Sequence, residues 1–62
     1  MEINVLKTMV SKLRLPIHIE YISEYILHKN ISDTKRIIDE LVKQGIIIES
    51  NIGKDYYVIK NL

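Results

Sequence analysis

The sequence has no cysteine, tryptophan or phenylalanine, and only one proline and two glycines among its 62 residues. Without cysteine, the chain lacks the disulfides that stabilise many small secreted domains. A chain of this length buries only about 60% of the surface that its unfolded form exposes, so its hydrophobic core is marginal. We therefore expect a single small domain over residues 1–62, whose stability a homodimer would raise.

The sequence also lacks any apolar run near the roughly 20 residues that a membrane-spanning helix needs. Its amino terminus does not show the basic stretch and apolar run of a secretory signal peptide. We therefore expect an intracellular, cytoplasmic protein that does not contact a membrane.

Patterns of catalytic residues are not recognisable in the sequence. There is no serine–histidine–acid order, no glycine-rich phosphate loop and no paired-carboxylate cleft. His18 and His28 have no cysteine or third histidine near them, so a zinc site is not expected. A domain of this size can hardly enclose a small-molecule substrate. The sequence therefore predicts neither an enzyme nor a metal or cofactor site.

The sequence also has almost no net charge, because its nine lysines and arginines are balanced by eight aspartates and glutamates. Neutralising phosphates supplies most of the non-specific affinity for nucleic acid, and proteins dedicated to that task are often strongly basic. Any DNA binding by this chain must therefore depend on where its charges lie.

What the sequence does have is an apolar content of 47%, much of it at helical spacing. Apolar residues recur with this period from about Ile3 to Leu13, which predicts a first helix. Pro16 ends that helix and favours an extended connector, which could pair with a sheet as a very short strand. A second helix is predicted over Ile19–Leu27, with His18 at its N-cap position and Asn30 in a left-handed turn after it.

A third helix is predicted from Asp33 to Gln44, with Ser32 as its N-cap and Gly45 as the left-handed residue that ends it. The pattern then changes to β-branched and aromatic residues over Ile46–Ser50 and Asp55–Lys60. A glycine-containing turn separates these two segments, which predicts a β-hairpin. An isolated hairpin is barely stable, so this one must pack on the helices.

This order of elements resembles a winged helix-turn-helix. The segment from Pro16 to Ile48 is similar to that of small bacterial, archaeal or archaeal viral transcription regulators. The residues that carry the resemblance are Pro16 to Ile19, Ile22, Ser23, Ile26, Ile31, Ser32 and the string from Ile38 to Ile47. That string is the most specific part, because such regulators close their third helix with two leucine-like residues, a charged turn, glycine and two aliphatic residues. The resemblance implies an α+β fold of three helices followed by a two-stranded hairpin, the wing.

Two features depart from the pattern of these regulators. The stretch from Leu27 to Asn30 lacks the usual glycine and is slightly long. The third helix has no net charge, whereas typical recognition helices are more basic. Its three cations are Lys35, Arg36 and Lys43, and its three acids are Asp33, Asp39 and Glu40.

The resemblance also implies binding of double-stranded DNA, with the third helix in the major groove. The candidate contacts on that helix are Ser32, Asp33, Lys35, Arg36, Asp39 and Lys43. Arg36 could read a guanine with its two-pronged side chain. The alternative is that Lys35 and Arg36 merely pair with Asp39 and Glu40 on a solvated helix face. At the hairpin turn, Asn51 and Lys54 could lie along DNA or belong to an ordinary turn.

Two other groups of residues are candidates for contact with a partner protein. Tyr21 and Tyr25 stand four residues apart on the second helix, where they could bind phosphate, form a partner surface or be partly buried. Val5 and Met9 widen the apolar stripe of the first helix. Surplus apolar surface there would suit a two-fold dimer, although all of it could pack inside one domain.

Neighbouring tyrosines near the end of the chain offer a further test of the hairpin. Tyr56 and Tyr57 point to opposite sides of their strand, so one should be buried and the other exposed.

Two functions remain as hypotheses from the sequence. The first is a DNA-binding transcription regulator that acts as a homodimer. The alternative is a winged-helix module that binds protein and not DNA, which the near-neutral charge would suit. In that case the face of Tyr21 and Tyr25, or the hairpin, would be the docking surface.

Overall fold

The computed structural model describes residues 3–60 of the chain. Within this range the chain forms three helices and three short antiparallel strands, which confirms the predicted α+β class. In chain order the elements are α1 (Ile3–Lys12), β1 (Ile17–His18), α2 (Ile19–Tyr21) continued by a π-helical segment (Ile22–Leu27), α3 (Ile31–Lys43), β2 (Ile47–Glu49) and β3 (Tyr56–Ile59). None of the helices in this described range is long and apolar enough to cross a membrane.

The first helix packs on the core through residues spaced one turn apart. Met9 and Leu13 are fully buried, and Val5 lies half-buried against the same core. The expectation that Met9 contacts a partner is therefore wrong, because its side chain is buried inside the domain. The same expectation for Val5 stays a prediction, since part of its side chain remains accessible. Among the residues of α1 whose side chains are described, Val10 is an exposed apolar residue, with 39% of its surface accessible.

The sheet has three strands in the order β1–β3–β2, so the predicted two-stranded hairpin gains a third strand. Ile17 pairs with Tyr57 and His18 with Tyr56, which confirms that the connector after Pro16 can join a sheet. Proline at position 16 favours extended backbone around it, and this directs the chain from α1 straight into β1. On its other side, β3 pairs with β2 from Ile47↔Ile59 to Glu49↔Tyr57.

Every helix and every strand pair contributes to one small core. The buried apolar residues are Met9, Leu13, Ile19, Ile22, Ile38, Leu41, Ile47 and Tyr57. Truncating one such side chain to alanine typically costs about 2–5 kcal/mol. A core of this size rarely supplies more than roughly 3–5 kcal/mol in total, so a truncation at the upper end of that range would unfold the domain.

The two tyrosines of β3 lie on opposite sides of the sheet, as predicted. Tyr57 is buried in the core, whereas Tyr56 is half-buried rather than exposed. The ring of Tyr56 packs edge-on against His18, with centroids 5.1 Å apart. It also covers Gly53, where an added Cβ would lie 3.0 Å from the ring carbon Cδ2.

The second helix begins as predicted, because Nδ1 of His18 accepts a hydrogen bond from the Glu20 backbone at 3.1 Å. From Ile22 it widens into a π-helix, whose turns hold more residues than those of an α-helix. His28 then takes the left-handed conformation, with φ 54° and ψ 45°, so the prediction of Asn30 at this point was wrong. The wider turn accommodates the slightly long connection that lacks a glycine.

Asn30 instead begins the third helix. Its backbone is extended and its side chain accepts a hydrogen bond from the backbone N–H of Asp33 at 2.8 Å. The predicted start at Asp33 with Ser32 as cap was therefore wrong, and α3 begins two residues earlier. Asparagine and serine are about equally good N-caps, so the choice between them depends on where the preceding turn ends.

The carboxyl end of α3 agrees with the sequence prediction. Gly45 is left-handed with φ 77°. Its N–H donates to the Val42 carbonyl and that of Ile46 to the Leu41 carbonyl, both at 3.0 Å. This is the pair of bonds of a Schellman motif, which favours glycine because glycine carries no Cβ penalty when φ is positive.

Candidate nucleic-acid interface

One face of α3 is free of the core along its whole length. Thr34, Ile38 and Leu41 are buried on the opposite face. Residues three and four positions apart lie on the same side of a helix, so the outward face is formed by a second set with that spacing. These residues are Ser32, Arg36, Asp39 and Lys43, all of them exposed.

The charges of α3 separate around the helix axis although they sum to zero. Asp33 and Glu40 share one flank with Ile37, on the basis of their spacing. Lys35 lies on the opposite flank. The outward face itself therefore carries two cations, Arg36 and Lys43, against one carboxylate, that of Asp39. This arrangement is more basic than the net charge of the helix indicates.

The cations of this face do not hydrogen-bond to the nearby acids. Glu40 accepts a bond from Nε2 of Gln44 at 2.9 Å, which occupies it within the last turn of its own helix. In the described part of the chain, no hydrogen bond joins Lys35 or Arg36 to Asp39 or Glu40. The alternative interpretation, in which these four residues merely pair, therefore receives no support from hydrogen bonding.

The pKa of Tyr57, in β3, responds to charges on α3 and on the hairpin. Burial raises the pKa of the Tyr57 hydroxyl, and the positive charge of Lys35 acts in the opposite direction. The carboxylates of Glu49, Asp55 and Asp39 add to the rise in pKa. Charges from α3 and from the hairpin therefore both act on the pKa of this one hydroxyl.

The hairpin turn holds the other two candidate contacts with DNA. Asn51 and Lys54 are exposed, and so is Ile52, at 63%. The turn is fixed by its own backbone, because the Ser50 N–H donates to the Tyr56 carbonyl at 2.6 Å. Asp55 has φ 64°, and its N–H donates to Oε2 of Glu49 at 3.0 Å. The two polar side chains are therefore displayed at the tip of a defined turn.

Tyr21 and Tyr25 lie on a different surface, and they lie together. They are 52% and 60% exposed, and their ring centroids are 4.7 Å apart. His18, Glu20 and Glu24 line the same open depression. Neither glutamate is among the candidate site residues predicted from the sequence. Glu20 and Glu24 are four residues apart, as are Tyr21 and Tyr25. This shared helical spacing is the sequence signal that would have placed the glutamates beside the tyrosines.

The acidic depression continues towards α3. Glu20 and Glu24 also line a second depression with Ser23, His28 and one cation, Lys29, and this depression ends at Asn30 and Ile31, where α3 begins. Carboxylates at this place repel phosphates. The second helix therefore presents carboxylates to solvent, whereas the outward face of α3 presents Arg36 and Lys43.

No protein-family model, curated protein or solved structure matches this chain. A function can therefore be inferred only from its residues and their geometry. Within residues 3–60, no three histidine, cysteine, aspartate or glutamate side chains come together in a way that could hold a metal ion.

Proposed function

We propose that this chain is a DNA-binding transcription regulator of the winged helix-turn-helix type. The observation that carries the proposal is the outward face of α3, where exposed Arg36 and Lys43 lie opposite the buried residues of the same helix. The order of helices and strands is compatible with a winged helix, including a short strand before the second helix. In such domains the third helix enters the major groove of double-stranded DNA.

On this proposal the residues of α3 take different tasks. Arg36 reaches a base edge, where its guanidinium can donate two hydrogen bonds to O6 and N7 of a guanine. Asp39 can accept a bond from the amino group of a cytosine. Ser32 and Asp33 lie in the first turn of the helix, and Lys35 and Lys43 are placed to meet phosphates on either side of the groove.

The hairpin acts as the wing in this proposal. Asn51 and Lys54 stand at its exposed tip and reach the backbone or the minor groove beside the helix. Together with Lys35 and Lys43, Lys54 makes three cations available for phosphate contacts. Each such contact contributes about 0.9 to the slope of log affinity against log salt, so we expect a slope of about −3.

A homodimer belongs to the proposal, since two copies would bind two half-sites about one helical turn apart. Because Met9 is buried, pairing of the first helices would have to use Val10. Light scattering at increasing concentration tests this, and Val10→Asp should abolish the association. A monomer at every concentration would remove the dimer from the proposal and leave DNA binding by one domain.

The test compares two variants that lose the same charge at different places. Arg36→Gln with Lys43→Gln removes two cations from the outward face of α3. Lys7→Gln with Lys12→Gln removes two exposed cations from α1. The first variant should bind duplex DNA at least about tenfold more weakly than the wild type, since one good bidentate contact is worth about 1–3 kcal/mol. The second should retain most of the affinity.

Three results decide the proposal. A large loss in the α3 variant alone supports it. Equal losses in the two variants would show that only overall charge matters, and would overturn the placement of α3 in the groove. The absence of binding by the wild type at low salt would overturn DNA binding altogether. Far-ultraviolet circular dichroism confirms that each variant is folded.

A further inference from the structure

The second helix presents a surface whose chemistry is the opposite of that on α3. We name it the acid–tyrosine surface, and it consists of His18, Glu20, Tyr21, Glu24 and Tyr25, which line one open depression. Four of its five residues are exposed, and His18 is half-buried. Within residues 3–60, no lysine or arginine lines the depression.

The two tyrosines of this surface form a preorganised pair. Their rings are tilted by 41° with centroids 4.7 Å apart, which is within the range of favourable aromatic contact. More than half of each side chain remains exposed to solvent. Each ring face is electronegative, so a cation above it is attracted, and the carboxylates of Glu20 and Glu24 add to that attraction.

The aromatic surface extends beyond the helix to the sheet. Tyr21 lines a neighbouring depression with Pro16, Ile17, His18 and Tyr56. The rings of His18 and Tyr56 are themselves in edge contact at 5.1 Å. Four rings therefore run from the second helix to the outer side of β3, an area that suits an extended segment better than a single ion.

Charge decides which kind of partner fits this surface. Glu20 and Glu24 would repel the phosphates of a nucleic acid, although the rings alone could stack on bases. A segment that bears arginine or lysine matches both features, because its cations can lie over the tyrosine rings and pair with the carboxylates. In the described part of the chain, no lysine or arginine side chain donates a hydrogen bond to either glutamate.

We propose that the acid–tyrosine surface docks an arginine- or lysine-bearing segment of a partner protein. Because the surface shares no residue with the outward face of α3, the chain can hold DNA and this partner on separate faces. The proposal does not depend on DNA binding, since it is carried by the residues of the second helix and the sheet.

The experiment uses a short synthetic peptide in which arginine alternates with glycine, and a second peptide with glutamate in place of arginine. Binding is followed by amide chemical shifts and by the intrinsic fluorescence of the protein. This fluorescence comes from its four tyrosines, because the chain has no tryptophan. The arginine peptide should shift the amides of the acid–tyrosine surface, and the glutamate peptide should not bind.

Matched variants separate the contribution of the rings from that of charge. Tyr21→Leu with Tyr25→Leu keeps the apolar bulk and removes the aromatic faces, and it should weaken binding at least about fivefold. Glu20→Gln with Glu24→Gln should weaken it as well. The control is Glu40→Gln with Glu49→Gln, which removes the same charge elsewhere while keeping a side-chain acceptor for Gln44 and Asp55. It should bind the peptide like the wild type.

Several outcomes would overturn the proposal. Unchanged affinity in the tyrosine variant would mean that the rings do not take part. Equal losses in the two glutamate variants would show non-specific attraction to an acidic chain. Self-association that disappears with the tyrosine substitutions would identify a second copy of the chain as the occupant instead.

Discussion

The side-chain oxygen of Asn30 accepts a hydrogen bond from the backbone N–H of Asp33, at 2.8 Å, and so satisfies one of the free amides at the start of α3. Ser32, which the sequence also offers as a cap, lies inside the first turn and is exposed. The helix therefore begins two residues earlier than local capping preference alone indicated.

Replacement of the two candidate caps should have unequal effects. Asn30→Ala should lower the free energy of unfolding by about 1 kcal/mol, because it leaves the Asp33 amide without its partner. Ser32→Ala should change it by no more than a few tenths, since alanine is the better helix former inside a helix. Urea denaturation measures both. A larger loss for Ser32→Ala would contradict the start of α3 at Ile31.

The fold was predictable at positions where the residue type strongly favours one backbone conformation. Pro16 predicted an extended connector and Gly45 the left-handed end of α3, and both are confirmed. The turn before α3 was not predictable in detail. Asparagine is favoured both in left-handed turns and at helix N-caps, so the residue type does not decide which role Asn30 takes. The outcome depends on where the π-helical segment ends, and no local sequence pattern predicts that segment.

His28 occupies the left-handed position that Asn30 was expected to fill, with φ 54°. A side chain with a Cβ is strained there, whereas glycine is not. His28→Gly should therefore raise the free energy of unfolding by about 0.5–1 kcal/mol. His18→Gly is the control, because His18 has φ −71° and its ring caps the second helix, so stability should fall. Thermal denaturation compares the two, and a loss for His28→Gly would contradict the left-handed turn.

Tyr57 should make stability depend on alkaline pH. Burial raises the pKa of Tyr57 above its ordinary value of 10.0, so the unfolded chain releases this proton first. The folded state then binds more protons, and the free energy of unfolding must fall as pH rises above about 10. The stabilisation is fully present below that pH and is lost as pH rises through the folded pKa.

Tyr57→Phe isolates this effect, because it keeps the ring and removes the proton. The urea midpoint of each protein is measured as a function of pH. Below pH 10 the difference between wild type and variant should stay constant, and above pH 10 the midpoint of the wild type should fall more steeply. Parallel curves throughout the alkaline range would contradict the raised pKa of Tyr57.

The candidate DNA face was only partly predictable. The spacing of Ser32, Arg36, Asp39 and Lys43 predicts a shared side of α3, and the structure leaves all four exposed. The sequence could not show that charges of α3 act on the pKa of Tyr57, because that depends on how the helix and the sheet share one core. It also could not decide whether Met9 faces a partner or the core, since both need the same apolar residue at the same spacing.

The most direct test of DNA binding by α3 is to map where a duplex contacts the chain. Amide chemical shifts would be recorded during titration with AT-rich and mixed-sequence duplexes at low salt. We predict that the largest changes fall on Ser32 to Asp39 and on the turn from Asn51 to Lys54. Changes confined to the acid–tyrosine surface, or no changes at low salt, would contradict the proposed function.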